Sequence, residues 1–133
     1  MAGKSTYLSN KVLDLLLGNT AYSVPTTLYI ALFTSAPNDS GGGTEVSGGA
    51  YSRAAVTNNT TNWPSASNGQ KANANQIAFA QATASWGTVV AVGIYDAATG
   101  GNLLWWANLA TPRTINSGDQ VSFAPGSLQF IED

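Results

Sequence analysis

Residues 89–109 read Val89-Val90-Ala91-Val92-Gly93-Ile94-Tyr95, then Asp96-Ala97-Ala98-Thr99-Gly100-Gly101-Asn102, then Leu103-Leu104-Trp105-Trp106-Ala107-Asn108-Leu109. Two apolar runs of strand length flank a stretch of Asp, Thr, Gly and Asn, the residues that tolerate tight turns. The pattern predicts an antiparallel hairpin. Trp105 and Trp106 are adjacent, so on a strand they point to opposite faces. One of them belongs to a core, and the other faces a second layer, a helix or a partner.

Working outward, the same grammar repeats. Short apolar runs lie at Leu28 to Phe33, Tyr51 to Val56, Ile77 to Ala80 and Leu128 to Ile131, and from Thr114 to Phe123 about a second turn, Asn116-Ser117-Gly118-Asp119. These predict seven or eight strands, with both turns joining strands that pair antiparallel. The chain begins differently. Leu8, Val12, Leu15 and Leu16 recur at three- and four-residue spacing, Ser5 can cap, and Gly18 stands where a helix exits. This predicts a single helix over about 5–17 that packs one stripe on a sheet.

Two stretches, Thr34 to Ala50 and Thr57 to Asn73, are too rich in Gly, Pro, Ser and Asn for regular structure. Loops of that length in a small domain usually serve function or stay disordered. The expected architecture is mainly β, an antiparallel β-sandwich of jelly-roll or Greek-key type with one N-terminal α-helix. One domain is expected over residues 1–133, with the sandwich over about 27–131.

Composition removes most chemistry. The 133 residues contain no Cys and no His, which excludes disulfides, thiolate nucleophiles, imidazole ligands and histidine acid–base schemes. Charged residues make up 9%, against about 25% in ordinary domains. The net charge of −2 gives no field that gathers a polyanion, so no nucleic-acid partner is expected. No apolar run approaches the length of a bilayer span, so no membrane partner is expected either. The first residues lack the unbroken apolar centre of a signal peptide, and the chain reads as made in the cytoplasm.

A pair of catalytic carboxylates is the sharpest enzymatic possibility. The candidates are Asp14, Asp39, Glu45, Asp96, Asp119, Glu132 and Asp133. Asp14 is on the helix, Asp96 and Asp119 take turn positions, and the last two end the chain. Only Asp39 and Glu45 share a loop, and that loop is the most glycine-rich in the sequence, whereas catalysis wants rigid support. The glycines at 41–43 and 48–49 lie between strands, not at a helix start, and have no nearby Lys. No enzyme, no metal and no cofactor is expected.

Contact residues are more promising. Tyr51 and Arg53 follow the glycine-rich loop and form an aromatic–guanidinium pair. Trp63-Pro64 lies in a polar loop, where a large ring has no evident core to join and can anchor a partner or stack on a sugar. Asp39, Glu45, Tyr51, Arg53, Trp63 and Pro64 are the candidate interface residues. With few charges, no reactive side chain and long neutral loops, the chain is suited to assembly, and a plain carbohydrate-binding sandwich module is the bland alternative.

Several longer blocks are distinctive. They are Tyr7-Leu8-Ser9-Asn10-Lys11 with the exit at Gly18, Thr27-Leu28-Tyr29-Ile30-Ala31-Leu32-Phe33-Thr34-Ser35-Ala36-Pro37, and Gly43 to Arg53. Further on come Ala84-Ser85-Trp86-Gly87-Thr88, Gly93 to Leu104 and Asn116 to Phe123. In this order they resemble a family of small tailed-bacteriophage virion proteins, and only Asn58 to Asn75 lies outside the resemblance. Some members are labelled tail-fibre proteins, and others look like jelly-roll cement proteins that decorate capsids. The resemblance implies a non-enzymatic capsid cement protein on the virion surface, bound to the major capsid protein and homo-oligomeric, with the two long loops as contacts. A tail-fibre or baseplate component that touches the host is the alternative. Lack of heptads and repeats favours head over tail.

Overall fold

The hairpin read from residues 89–109 is the centre of the molecule. The structure, a computed structural model, describes residues 2–131; Glu132 and Asp133 lie outside the described residues. In chain order the elements are β1 (Ala2–Lys4), α1 (Thr6–Leu16), β2 (Thr27–Ser35), β3 (Thr44–Glu45), β4 (Ala54–Thr57) and β5 (Gln70–Ala72). Then follow β6 (Ile77–Ala78), β7 (Gly87–Tyr95), β8 (Leu103–Ile115), β9 (Ser122–Phe123) and β10 (Gln129–Ile131). The main sheet has the order β1-β8-β7-β2-β3, and β4 also pairs with β2, so β3 and β4 share its outer edge. Every pairing is antiparallel.

Two short pairs, β5–β10 and β6–β9, stand apart from this sheet. Side chains from their neighbourhood, Ile77, Phe79, Val121 and Leu128, join Ile30, Leu32, Val92 and Ile94 of the main sheet in one buried cluster. The result is the mainly β, sandwich-like arrangement with one helix that the periodicities predict. Its second layer consists of two short pairs, not one continuous sheet.

The other face of the main sheet carries a smaller cluster of Ala31, Phe33 and Ala91, flanked by Val90 and Tyr95. Gly93 makes room for it. A Cβ there would lie 2.9 Å from the Phe33 ring and 3.0 Å from Leu103, so this glycine lets the Phe33 ring cross the strand.

Three expectations need correction. The first concerns α1. Ser5 does cap it, accepting from the Leu8 amide at 3.1 Å, and the chain leaves through Gly18 at φ +136°. The stripe is not buried, however: no residue of α1 is, and Leu15 and Leu16 are exposed at 44% and 72%. Only Tyr7 and Leu8 reach the core, because the helix touches the sheet through β1 and β8 and its last turn lies exposed.

The second concerns the turn at Asn116–Asp119, which does not close a pair. It forms as expected, with the Asp119 carboxylate accepting from the Asn116 amide at 2.8 Å. Its backbone then bonds to the segment before β7, Gly118 N–H to Ala82 C=O and Ala82 N–H to Asp119 C=O. The chain is drawn out of the main sheet, and β9 pairs with β6 instead of β8.

The third concerns the long loops, which are not without strands. β3 lies in the first and β5 in the second. Each is too short for a two-residue period to show in sequence.

Candidate interaction site

The six candidate residues separate into three places. Glu45, Tyr51 and Arg53 come together at the outer edge of β2. There β3 and β4 leave the middle of the strand uncovered, and the Tyr51 hydroxyl fills the gap. It accepts from the Leu32 amide at 3.0 Å and donates to Glu45 Oε2 at 2.6 Å. Arg53 grips the same carboxylate through two bonds of 2.9 Å, Nε to Oε2 and Nη2 to Oε1. Its Nη1 donates to the carbonyls of Ala97 and Gly100, both at 2.8 Å, which fixes the β7–β8 turn. The guanidinium lies 3.7 Å from the centre of the Tyr95 ring, and Tyr95 stacks on Phe33.

Burial works against the charge on Glu45, but the bonds from Arg53 and Tyr51 outweigh it and hold the carboxyl below its ordinary range. Burial and the bond to Glu45 push the Tyr51 hydroxyl well above its ordinary value. Arg53 is held more firmly protonated: burial opposes its charge, and Glu45 more than restores it. The Arg53 side chain is 7% exposed and that of Glu45 26%. The expected contact pair is therefore turned inward, and Tyr51 and Arg53 serve as a brace.

This carries a pH prediction. Since Glu45 has a lower pKa folded than unfolded, its contribution to stability is present above the unfolded value and is lost as pH falls through the folded one. Urea midpoints of the wild type are expected to fall below about pH 5. Glu45→Gln should start lower at neutral pH and decline less steeply on acidification. An unchanged acid limb in this variant would show that the brace does not govern it.

Asp39 goes elsewhere. Its Oδ1 accepts from Trp106 Nε1 at 2.9 Å, and its carbonyl accepts from the Thr6 amide at 2.8 Å. It pins the loop after β2 to β8 and to the start of α1. The structure thus does not bring Asp39 and Glu45 together as a carboxylate pair. Trp105 and Trp106 do face opposite sides: Trp106 points to Asp39, and Trp105 packs with the main core.

Trp63 lies in the core, against the expectation of a ring without one. It is 5% exposed and meets the Phe130 ring edge-on at 5.8 Å. The residues it joins are remote in sequence: Phe130 on β10, itself 5.7 Å from the Trp105 ring, with Leu28 and Ile94 of the main sheet nearby. Pro64 is left outside, exposed. Trp63, Trp105 and Phe130 wall a cleft of about 290 Å³. Asn58, Gln70 and Lys71 also line it, and sequence reasoning missed these together with Trp105 and Phe130 as a group. The available signal was Lys71, the lone charge in a long neutral loop. The Trp63 indole N–H is buried and has no acceptor among the described residues, a cost of about 1–3 kcal/mol.

A family model described as podophage GP4 fiber I protein gp80 matches residues 3–131, nearly all of the folded body. No curated protein matches the chain.

Proposed function

Because the chain belongs to the podophage GP4 fiber I protein gp80 family, a family of structural phage virion proteins and not of enzymes, we propose that it is a rigid module of a virion fibre. The observation that carries this reading is the match itself, which runs through every element from β1 to β10. The site geometry agrees with it. Glu45, Tyr51, Arg53 and Asp39 are spent on internal bonds that stiffen the body, which suits a part that bears load instead of performing chemistry. The capsid cement role suggested by sequence resemblance becomes the competing location.

Labelling purified virions with an antibody to this chain separates the two. Electron microscopy is expected to show label on the fibres, with few copies per particle. Label spread over the head, at a copy number that follows the capsid lattice, would replace the fibre by the cement role and make the major capsid protein the partner.

A further inference from the structure

The cleft beside Trp63 has the makings of a ligand site. Its volume of about 290 Å³ is near the lower end, about 300 Å³, of small-molecule sites. Two indoles and a phenyl ring form its walls, Trp63 and Trp105 each inclined to Phe130, at 68° and 60°. Trp105 is only half-buried, and the Lys4 ammonium lies 6.0 Å from the centre of its ring. Such walls suit the C–H face of a pyranose, which is apolar while its edge carries hydroxyls.

The polar groups are few, and two of them are uncommitted. Gln70 and Lys71 are exposed, and their side chains have no partner among the described residues. The amide of Asn58 donates to the Pro25 carbonyl at 2.9 Å, which fixes its orientation. Trp63 contributes its ring to this wall, while its indole N–H is closed to solvent and has no acceptor among the described residues. Among the lining residues Lys71 is the single charged side chain, and there is no carboxylate. An aromatic well with amides and one ammonium fits a sugar that carries an acid group.

We propose that this cleft binds one acidic sugar ring of the bacterial surface, stacked on Trp105 with its carboxylate toward Lys71. The bacterial origin of the ligand rests on the fibre reading; binding itself does not.

The test uses the full chain and three probes: glucuronic acid, galacturonic acid and methyl glucoside. Tryptophan fluorescence and titration calorimetry are expected to show saturable binding of at least one uronic acid. A dissociation constant of about 1 mM is the scale for a ligand of one ring. The neutral glucoside should bind about tenfold more weakly, and Lys71→Ala should abolish that preference. Gln70→Ala should weaken binding further. Both positions are exposed, so these variants should keep the wild-type circular dichroism. No saturable response from folded protein to any probe would overturn the proposal, as would uronic acid binding that Lys71→Ala leaves unchanged. Label on the head would remove the fibre reading while leaving this titration to stand or fall alone.

Discussion

Arg53→Ala is expected to lower stability by about 3 kcal/mol, a melting point roughly 10 °C lower. One side chain holds four hydrogen bonds, two to Glu45 and one each to the carbonyls of Ala97 and Gly100. Its removal leaves a half-buried carboxylate with only the Tyr51 hydroxyl for company, frees two turn carbonyls and uncovers the Tyr95 ring. Most of the loss is the penalty for stranded partners. Two comparisons make this reasoning testable by urea denaturation. Arg53→Lys, which keeps the charge but cannot form the bidentate grip, should recover less than half of the loss. Removing Glu45 and Arg53 together should cost less than the sum of the single changes. Additive losses would mean that the two residues act independently and that the brace is not a unit.

Phe33→Ala should cost about 4 kcal/mol. The ring is 1% exposed and is the largest of the fully buried side chains. It stacks on Tyr95 with centroids 6.3 Å apart and lies against Gly93. The shape of that site gives a second test, in which volume is added instead of removed. Gly93→Ala alone should destabilise by about 2 kcal/mol through overpacking, since its methyl would press on the Phe33 ring. In the Phe33→Ala background the ring is gone and the Leu103 contact alone remains, so the same glycine substitution should cost clearly less. Thermal melts of the two single variants and the double variant measure this coupling directly; equal cost of Gly93→Ala in both backgrounds would remove the steric explanation.

The parts of the fold legible in sequence are those whose signal is local. β2, β7 and the start of β8 are long apolar runs, and the helix has a cap at Ser5 and an exit at Gly18. What was not legible depends on remote partners. The burial of Trp63 is decided by Phe130, and the pairing of β9 by hydrogen bonds between Ala82, Gly118 and Asp119. Neither leaves a trace in the neighbouring residues. The candidate list shows the same division. Glu45, Tyr51 and Arg53 are close in sequence and meet in space, though as an internal brace. The aromatic cleft draws Trp63, Trp105 and Phe130 from three distant segments, so periodicity and spacing alone do not assemble it.

The strand order has a consequence for how the chain acquires its shape. β7 and β8 are joined by a short turn and can zip as soon as both exist. Most other pairings wait: Ile30 of β2 meets Ile94, Ala2 of β1 meets Ala107, and Gln70 of β5 meets Ile131. On a ribosome, the apolar segment Ile30 to Phe33 therefore emerges long before β7, the strand that sits beside it. Closure of such distant loops slows folding and leaves apolar strands uncovered meanwhile. The body therefore closes late: its last pair, β5 with β10, cannot form until Ile131 has been made.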